Sequence, residues 1–438
     1  MVVLLTGASG FLGTQLTNML LAAGHIVIGV VHRRAVDARP GAQMRYIEAD
    51  FTTDFDEADW LPKLYGVDLV INAVGIIRET GLQTFHAIHC KAPCALFKAC
   101  AHAGVKRVIQ ISALGADDHA QSRYHLSKKA ADDFLSSLDL PSVIVQPSLV
   151  YGEGGTSAKL FTILASLPLI PLPGHGQQMI QPVHVADVSA TILALLDQTL
   201  PKASRIAVVG PRALTLRDFL AILRISIGLR RARFFPAPMA LVRIVADASR
   251  FLPDTLLDRE TLQMLEDGNT ADVSPLCALL GRPPRPPEQF IPPHGAKSVR
   301  LQAQLNYLLP VLRWSIALVW IATGLVSIGW YPVADSYALL ARTGISGAHA
   351  PWILPLMLYG AALLDIGLGL ATVLLKRRHW VWLTQLAIIL FYTAVISWRM
   401  PEFWSHPYGP LLKNIPMLAA IWLLMELERS DHFPGDKR

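Results

Sequence analysis

From residue 1 to about 150 the chain alternates short β-branched runs with longer stretches whose apolar residues recur every three to four positions. This alternation predicts βαβ units around a parallel sheet. Strands are expected at 2–6, 25–31, 45–48, 69–73, 107–112 and 142–147, with helices such as 11–23 and 85–103 between them. Six such strands make an α/β, Rossmann-type doubly wound fold over residues 1–150. From 151 to about 280 the pattern is less regular, with short helices near 185–196 and 216–227. It predicts a smaller substrate lobe closing over the strand ends.

The stretch 281–293 holds six prolines, too many for a helix or a central strand. Residues 281–299 are therefore expected to form a semi-rigid tether. Four apolar stretches follow, at 311–330, 352–375, 380–398 and 411–427, within a C-terminal domain of about 300–430. About 20 helical residues cross a hydrocarbon core of roughly 30 Å, so a four-helix transmembrane bundle is expected, with Trp and Tyr at the span ends forming an aromatic belt. Lys297 and Arg300 precede the first span, Lys376, Arg377 and Arg378 fill the second loop, and Lys437 and Arg438 follow the last span. The other two loops have only Arg342 and Arg399 near them, which puts both termini in the cytoplasm. Met1 runs straight into an apolar strand with no basic segment before it, so the N-terminal domain is expected to stay in the cytosol.

Composition sharpens this division. The 438 residues are 52% hydrophobic and 16% charged, and the shortage of charge is local, with 10 charged residues among the 115 from 311 to 425. That profile excludes a disordered chain and argues against a purely soluble enzyme. The net charge of +6 comes from short clusters such as Arg33-Arg34 and Arg230-Arg231, with no basic stripe interleaved with aromatics, so no nucleic-acid partner is expected. Cys90, Cys94, Cys100 and Cys277 form no C-x-x-C pair. They are expected to be buried thiols in a reducing compartment, with no metal site.

The chemistry begins at Thr6-Gly7-Ala8-Ser9-Gly10-Phe11-Leu12-Gly13, which follows a strand and opens a helix. In that setting Gly7 permits a tight turn, Gly10 lets the backbone approach a pyrophosphate, and Gly13 lets helix and sheet pack closely, so the segment is expected to bind a dinucleotide. The second strand ends Val30-Val31-His32-Arg33-Arg34, with no carboxylate for a ribose diol. Arg33 and Arg34 suit a 2′-phosphate, which favours NADP(H) over NAD(H). As solvated loop charges they would leave the preference open. Asp50 and Phe51 could flank the adenine, and Ala73, Val74 and Gly75, after Asn72, end the fourth strand beside the expected nicotinamide ribose.

Tyr124 and Lys128 lie four residues apart, on one face of an expected helix. A free phenol has a pKa near 10, and a neighbouring ammonium favours its ionised form. Lys128 could also hold ribose hydroxyls, and Ser112, at the end of the fifth strand, could hydrogen-bond a substrate oxygen. Y-x-x-x-K is common by chance, and its weight here comes from its position after the glycine turn and Ser112.

On the segments T-G-A-S-G-F-L-G, I-N-A-V-G, I-S-A-L-G-A, Y-x-x-x-K, Q-P-S-L-V-Y-G and Q-P-V-H-V-A-D-V, residues 1 to about 280 resemble the short-chain dehydrogenase/reductase superfamily, in particular the atypical group related to the NADPH-binding accessory subunit of respiratory complex I. The resemblance implies that Pro147 and Ser148 lie near the nicotinamide and that His184 and Asp187 order the substrate lobe. The tail resembles the DoxX-like four-helix membrane family through the segments around Trp320, Leu364-Asp365-Ile366-Gly367-Leu368-Gly369 and Tyr408 to Asn414. Asp365, mid-span, is a functional candidate or one half of a structural pair, with Lys413 and Asn414 as possible partners. Together these features imply an NADP(H)-dependent oxidoreductase on the cytoplasmic face of a bacterial inner membrane. It would move a hydride to or from a lipophilic carbonyl or alcohol carbon, quinone- or isoprenoid-related. The alternatives are a non-catalytic NADPH-binding assembly or sensor subunit, and an epimerase or dehydratase of nucleotide- or lipid-linked sugars.

Overall fold

The computed structural model describes residues 1–32, 43–198, 201–248, 258–344 and 352–430. Arg33 and Arg34 lie outside the described residues. The chain divides into two compact units, Met1–Ala303 and Gln304–Arg438.

The first unit is built on seven parallel strands: β1 (Val2–Thr6), β2 (Ile26–Val31), β3 (Met44–Glu48), β4 (Leu69–Asn72), β5 (Arg107–Ile111), β6 (Ser142–Pro147) and β7 (Ser204–Val208). Their order is β7-β6-β5-β4-β1-β2-β3. Successive side chains point to opposite faces: Leu4, Ile28, Val70, Val108 and Ile144 enter one core, while Val3, Leu5, Val27, Ile71, Ile109 and Val145 enter the other. Helices cover both faces, so the strands read as continuous apolar runs. Each fully buried Val, Leu or Ile contributes about 1.5–3 kcal/mol. β7 was not among the expected strands. It is an edge strand in which Val208 alone is buried. The chain leaves β1 toward β2 on one side and returns as β4 on the other, and this reversal opens a crevice at the carboxyl ends of the strands.

The lobe core is aromatic, with Tyr151 stacked on Phe290 at 5.1 Å between ring centroids and Phe161 edge-on to Phe219 at 5.6 Å. The stretch expected to be a tether is packed instead. Phe290 and Ile291 are buried in the lobe core, Arg282 pairs with Asp187 at 2.7 Å, and the Arg285 amide donates to Asp187 Oδ2 at 2.8 Å. Proline excludes helix and central strand, but it does not exclude burial, and a strap of fixed φ loses little entropy on docking.

Among the described residues three helices are long and apolar enough to cross a membrane: Ala296–Trp330, which leads into the second unit, Ile353–Leu374 and His379–Arg399. The fourth expected span is shorter, a helix of 17 residues at Asn414–Ser430, and an unexpected helix, Val333–Arg342, lies in the first loop. The first two spans meet through small residues: a Cβ on Gly324 would lie 2.5 Å from Ala362 O, and one on Gly369 would lie 2.9 Å from Ala317 O. Polar contacts join the helices. Glu428 accepts from Arg313 and, at 3.0 Å, from Trp382 Nε1, and Gln385 Nε2 donates to Thr372 Oγ1 at 2.7 Å. Neither expected partner of Asp365 is joined to it: Lys413 is exposed and Asn414 donates to Thr393 Oγ1 at 2.8 Å. Asp365 itself is buried, and among the described residues its Oδ1 has no hydrogen-bond partner.

Candidate active site

The crevice is lined by Gly7, Ser9 and Gly10 from the turn after β1, Asp50 and Phe51 after β3, and Ala73, Val74 and Gly75 after β4. Gly7 adopts φ +66°, and the Gly10 amide donates back to Gly7 O at 2.9 Å. A Cβ on Gly13 would lie 2.0 Å from Gly7 O, so only glycine lets the helix Phe11–Ala22 pack onto the turn. No side chain caps that helix at Gly10, which leaves its first amides to an anion. These features fit a dinucleotide pyrophosphate.

Phe11 and Leu12 follow Gly10 at the start of that helix, with their side chains packed on protein. The Phe11 ring packs where Cβ atoms on Gly152 and Gly155 would sit, 3.2 and 3.0 Å away, and Leu12 packs on a sheet core. Asp50 Oδ1 accepts from Thr52 N and Oγ1 at 2.8 and 2.6 Å and lies 3.5 Å from His32 Nδ1. Pro147 and Ser148 are not among the crevice-lining residues; Ser148 Oγ donates to Gln181 O at 2.6 Å.

A buried polar file crosses the strand ends behind the crevice. Thr6 Oγ1 donates to Asn72 Oδ1 at 2.6 Å, and Asn72 Nδ2 donates to Gln110 Oε1 at 2.7 Å. Next along is Asp132, wholly buried, which accepts a hydrogen bond from the Ser112 hydroxyl. The Ser112 proton is thus given to Asp132, where a substrate oxygen was expected to receive it. Burial raises the Asp132 carboxyl to about 6, against the pull of Ser112 and Lys128.

Ser122 caps the helix Arg123–Ser137 by accepting from the His125 amide. This start places Tyr124, Lys128 and Asp132 one turn apart on one face. Lys128 is buried, donates to Ile111 O at 3.1 Å and Val74 O at 3.4 Å, and is brought down to about 8 by burial, which Asp132 partly offsets. Its Nζ would lie 3.1 Å from a Cβ on Gly75, so the ammonium abuts the crevice wall. The Tyr124 ring is edge-on to Phe85, His89 and His125. Burial first, and Asp132 second, push its hydroxyl up to about 12. The expected lowering by Lys128 is thus overturned: the ammonium bonds backbone carbonyls, and desolvation prevails.

His89 and Asp132 are the residues that sequence reasoning missed. Buried His89 sits in the π-helical segment His86–Lys91. Its Nε2 accepts the Ile76 amide at 3.0 Å, so the proton is on Nδ1, which donates to Ser127 Oγ at 2.9 Å. Burial and Lys128 bring it down to about 2, so the ring is neutral. His89 ties the crevice loop to the helix of Tyr124. Asp132 carried a readable signal, being spaced four and eight residues after Lys128 and Tyr124. The thiols also depart from expectation, since Cys100 alone is fully buried.

His184 caps the helix Val185–Asp197 through Nδ1, and Asp187, 1% exposed, receives the strap. Asp187→Ala is expected to lower stability by about 1–3 kcal/mol, because the Arg285 amide loses its acceptor. Calorimetry and faster proteolytic cutting within 281–295 would register it, and an unchanged cutting pattern would mean that Asp187 does not hold the strap.

Residues 3–210 match the NAD dependent epimerase/dehydratase family, and residues 317–422 match the DoxX-like family. Ceramide reductase of Caulobacter vibrioides is 31% identical over 196 residues, covering 44% of this chain and 60% of that protein. The mitochondrial NADH dehydrogenase (ubiquinone) 1 alpha subcomplex subunit 9 of Mus musculus is 27% identical over 244 residues, covering 54% and 63%. The matches thus span somewhat over half the length of these relatives. Among solved structures, a UDP-glucuronic acid 4-epimerase from Bacillus cereus in complex with UDP-glucuronic acid and NAD shares the fold, with TM-score 0.52 and 18% identity over 70% of this chain and all of that one. A nucleoside-diphosphate-sugar epimerase from Staphylococcus aureus superposes with TM-score 0.54 at 19% identity, over 66% of this chain and 99% of that one. The chain thus joins an NAD-dependent epimerase/dehydratase domain of the short-chain dehydrogenase/reductase type to a C-terminal DoxX-like domain.

Proposed function

We propose that this protein is a membrane-anchored, NADP(H)-dependent reductase acting on a lipophilic carbonyl compound. The observation that carries this reading is the placement of Lys128 against Gly75 of the crevice, on the helix face that also bears Tyr124. Gly7, Ser9, Gly10, Asp50, Ala73 and Val74 would hold the nucleotide, with Arg33 and Arg34 toward a 2′-phosphate. When bound, the nicotinamide supplies the hydride. Tyr124, protonated throughout the neutral range, gives its proton to the substrate oxygen, and Lys128 steadies ribose hydroxyls with its ammonium. Ser112 orients the same oxygen once its hydroxyl turns from Asp132. A phenol protonated throughout the neutral range is in the form that gives a proton, which fits the direction of reduction.

The three long apolar helices, with the shorter helix Asn414–Ser430 as a fourth crossing, would supply the anchor. An even number of crossings keeps both termini on one side, and the cation distribution favours the cytoplasmic side of a bacterial inner membrane. Similarity to a protein named ceramide reductase supports a lipid substrate. The test is NADPH and NADH oxidation by the full chain in proteoliposomes carrying a long-chain lipid ketone, with wild type set against Tyr124→Phe. Lipid-dependent oxidation, faster with NADPH and lost in the variant, is expected; equal rates in the two proteins would overturn the reading. The Ser112–Asp132 bond favours a second reading, in which nucleotide stabilises the fold without turnover. Raised thermal stability on adding NADPH with no oxidation of any lipid ketone would select it.

A further inference from the structure

One helix of the first unit turns an apolar face outward. The helix Met239–Ala248 buries Val242 and Ala246 against Ala237 and Leu262. Its other face carries Leu241, Ile244 and Val245, spaced to form one stripe and 52, 64 and 49% exposed. Single exposed apolar residues are ordinary on a protein surface, whereas a contiguous stripe of large ones marks a contact face. The segment before the helix continues it. Ala232 and Phe234 turn to the lobe core, while Arg231, Arg233 and Phe235 are exposed between and beside them. Arg230 is exposed too, and among the described residues none of these three arginines pairs with an acid. The acids beside the helix are taken: Asp247 lies 3.9 Å from Arg259, and Glu266 lies 3.0 Å from Arg243. The face is thus apolar with a basic margin.

This basic margin is fastened to the root of a membrane-length helix. Leu229, Ala232 and Phe234 pack in one core with Ala296 and Val299, and Arg300 Nη1 donates to Gly228 O at 3.3 Å. Ala296 begins the stretch Ala296–Trp330, which is long and apolar enough to cross a membrane. Lys297 and Arg300 lie in its first two turns, and Leu301, Leu305 and Leu308 are exposed along it. We propose that the helix Met239–Ala248, with Phe235 and the arginines at 230, 231 and 233, docks on the bilayer surface at anionic lipid headgroups. Ile244 and its neighbours enter the boundary between headgroups and acyl chains to a depth of about 5–10 Å, as interfacial amphipathic helices do, and the guanidinium groups hold lipid phosphates. A protein partner would also meet an apolar stripe, but the unpaired arginines and their tie to the helix root favour lipid. The contact is additional to the membrane-crossing helices and rests on reading them as the anchor.

The test uses the full chain in vesicles of phosphatidylcholine, with or without phosphatidylglycerol, carrying an environment-sensitive fluorophore on Ile244→Cys, with the signal of labelled wild type subtracted. Tyr65→Cys is the control, at a site 90% exposed in the loop before β4. A nitroxide placed high on the lipid acyl chain is expected to quench the Ile244→Cys fluorophore at least about threefold more than the control in the anionic vesicles. Arg230→Glu, Arg231→Glu and Arg233→Glu together, or salt at about 1 M, where the Debye length is about 3 Å, should bring quenching down to its level in phosphatidylcholine alone. Equal quenching at the two sites, in protein that floats with the vesicles, would overturn the contact and leave the anchor standing. A fluorophore shielded from water but untouched by the nitroxide would overturn it in favour of a second copy or another protein. Quenching indifferent to both the charge reversal and phosphatidylglycerol would overturn the recognition of anionic lipid. Protein that fails to float would overturn the anchor, and the contact with it.

Discussion

Tyr124→Phe is expected to cut lipid-dependent NADPH oxidation about 10²–10⁴-fold, the range of a lost general acid, while nucleotide affinity stays within about twofold. The substitution removes one oxygen and keeps the ring, so the edge-on contacts with Phe85, His89 and His125 persist. The loss should therefore fall in kcat and leave KM nearly unchanged, as when an interaction made only in the transition state is removed. Absorbance of the reduced nicotinamide gives the rate, and titration of the bound nucleotide gives the affinity. The pH profile of the wild type adds an independent check. Tyr124 is held up at about 12 and stays protonated, whereas Lys128 is brought down to about 8 by burial. Reduction should therefore slow as pH rises through about 8, when the ammonium is lost.

Gly13→Ala is expected to abolish nucleotide binding, with affinity reduced at least about 100-fold, equivalent to about 2.7 kcal/mol. The added Cβ would stand 2.0 Å from Gly7 O, 2.7 Å from Gly7 C and 2.8 Å from Ala8 Cα, all backbone atoms with no rotamer to escape into. The helix Phe11–Ala22 must shift away from the turn, taking its amides off the anion. Overpacking of this kind costs about 1–3 kcal/mol and occasionally more, and each kcal/mol lowers Tm by about 2–4 °C in a domain of this size. Calorimetry of the variant with and without NADPH separates the two effects. Wild-type affinity in Gly13→Ala would show that the turn does not seat the ligand.

The two substitutions mark what was legible in the sequence. The glycine turn and the Tyr124–Lys128 pair are local, each fixed by spacing along one element: Gly7 adopts its positive φ in the turn, and Tyr124 and Lys128 lie on one helix. What escaped depends on which side chains meet across elements. Ser112 could be placed at the end of a strand, but the direction of its proton was set by Asp132, on a helix that crosses behind it. Within β7 itself Val208 alone is buried, so edge exposure hid its pattern. The prolines after Leu280 said what the strap could not be, and left open that Phe290 and Ile291 would dock.

Asp132 also carries a prediction about pH. Its carboxyl is raised from 3.8 to about 6 by burial, so between those values the native state holds a proton that the unfolded chain has released. Stability from this group therefore falls as pH rises from about 4 to about 6. Asp132→Asn removes that decline, and its Tm at pH 7 should equal or exceed that of the wild type, with the two converging at pH 4. A variant less stable at pH 7 would mean that the Ser112 bond outweighs the burial of charge.

The docked strap decides where the first compact unit could be cut free of the C-terminal DoxX-like domain. A soluble version ending at Leu280, just before the prolines, would strip Phe290 from Tyr151 and Phe219 and leave the Asp187 carboxylate buried without Arg282 or the Arg285 amide. Truncation has to fall after Ile291, close to Ala303 where the first compact unit ends. Such a cut passes through the helix that begins at Ala296, and it would leave a polar helical stub as the new C-terminus.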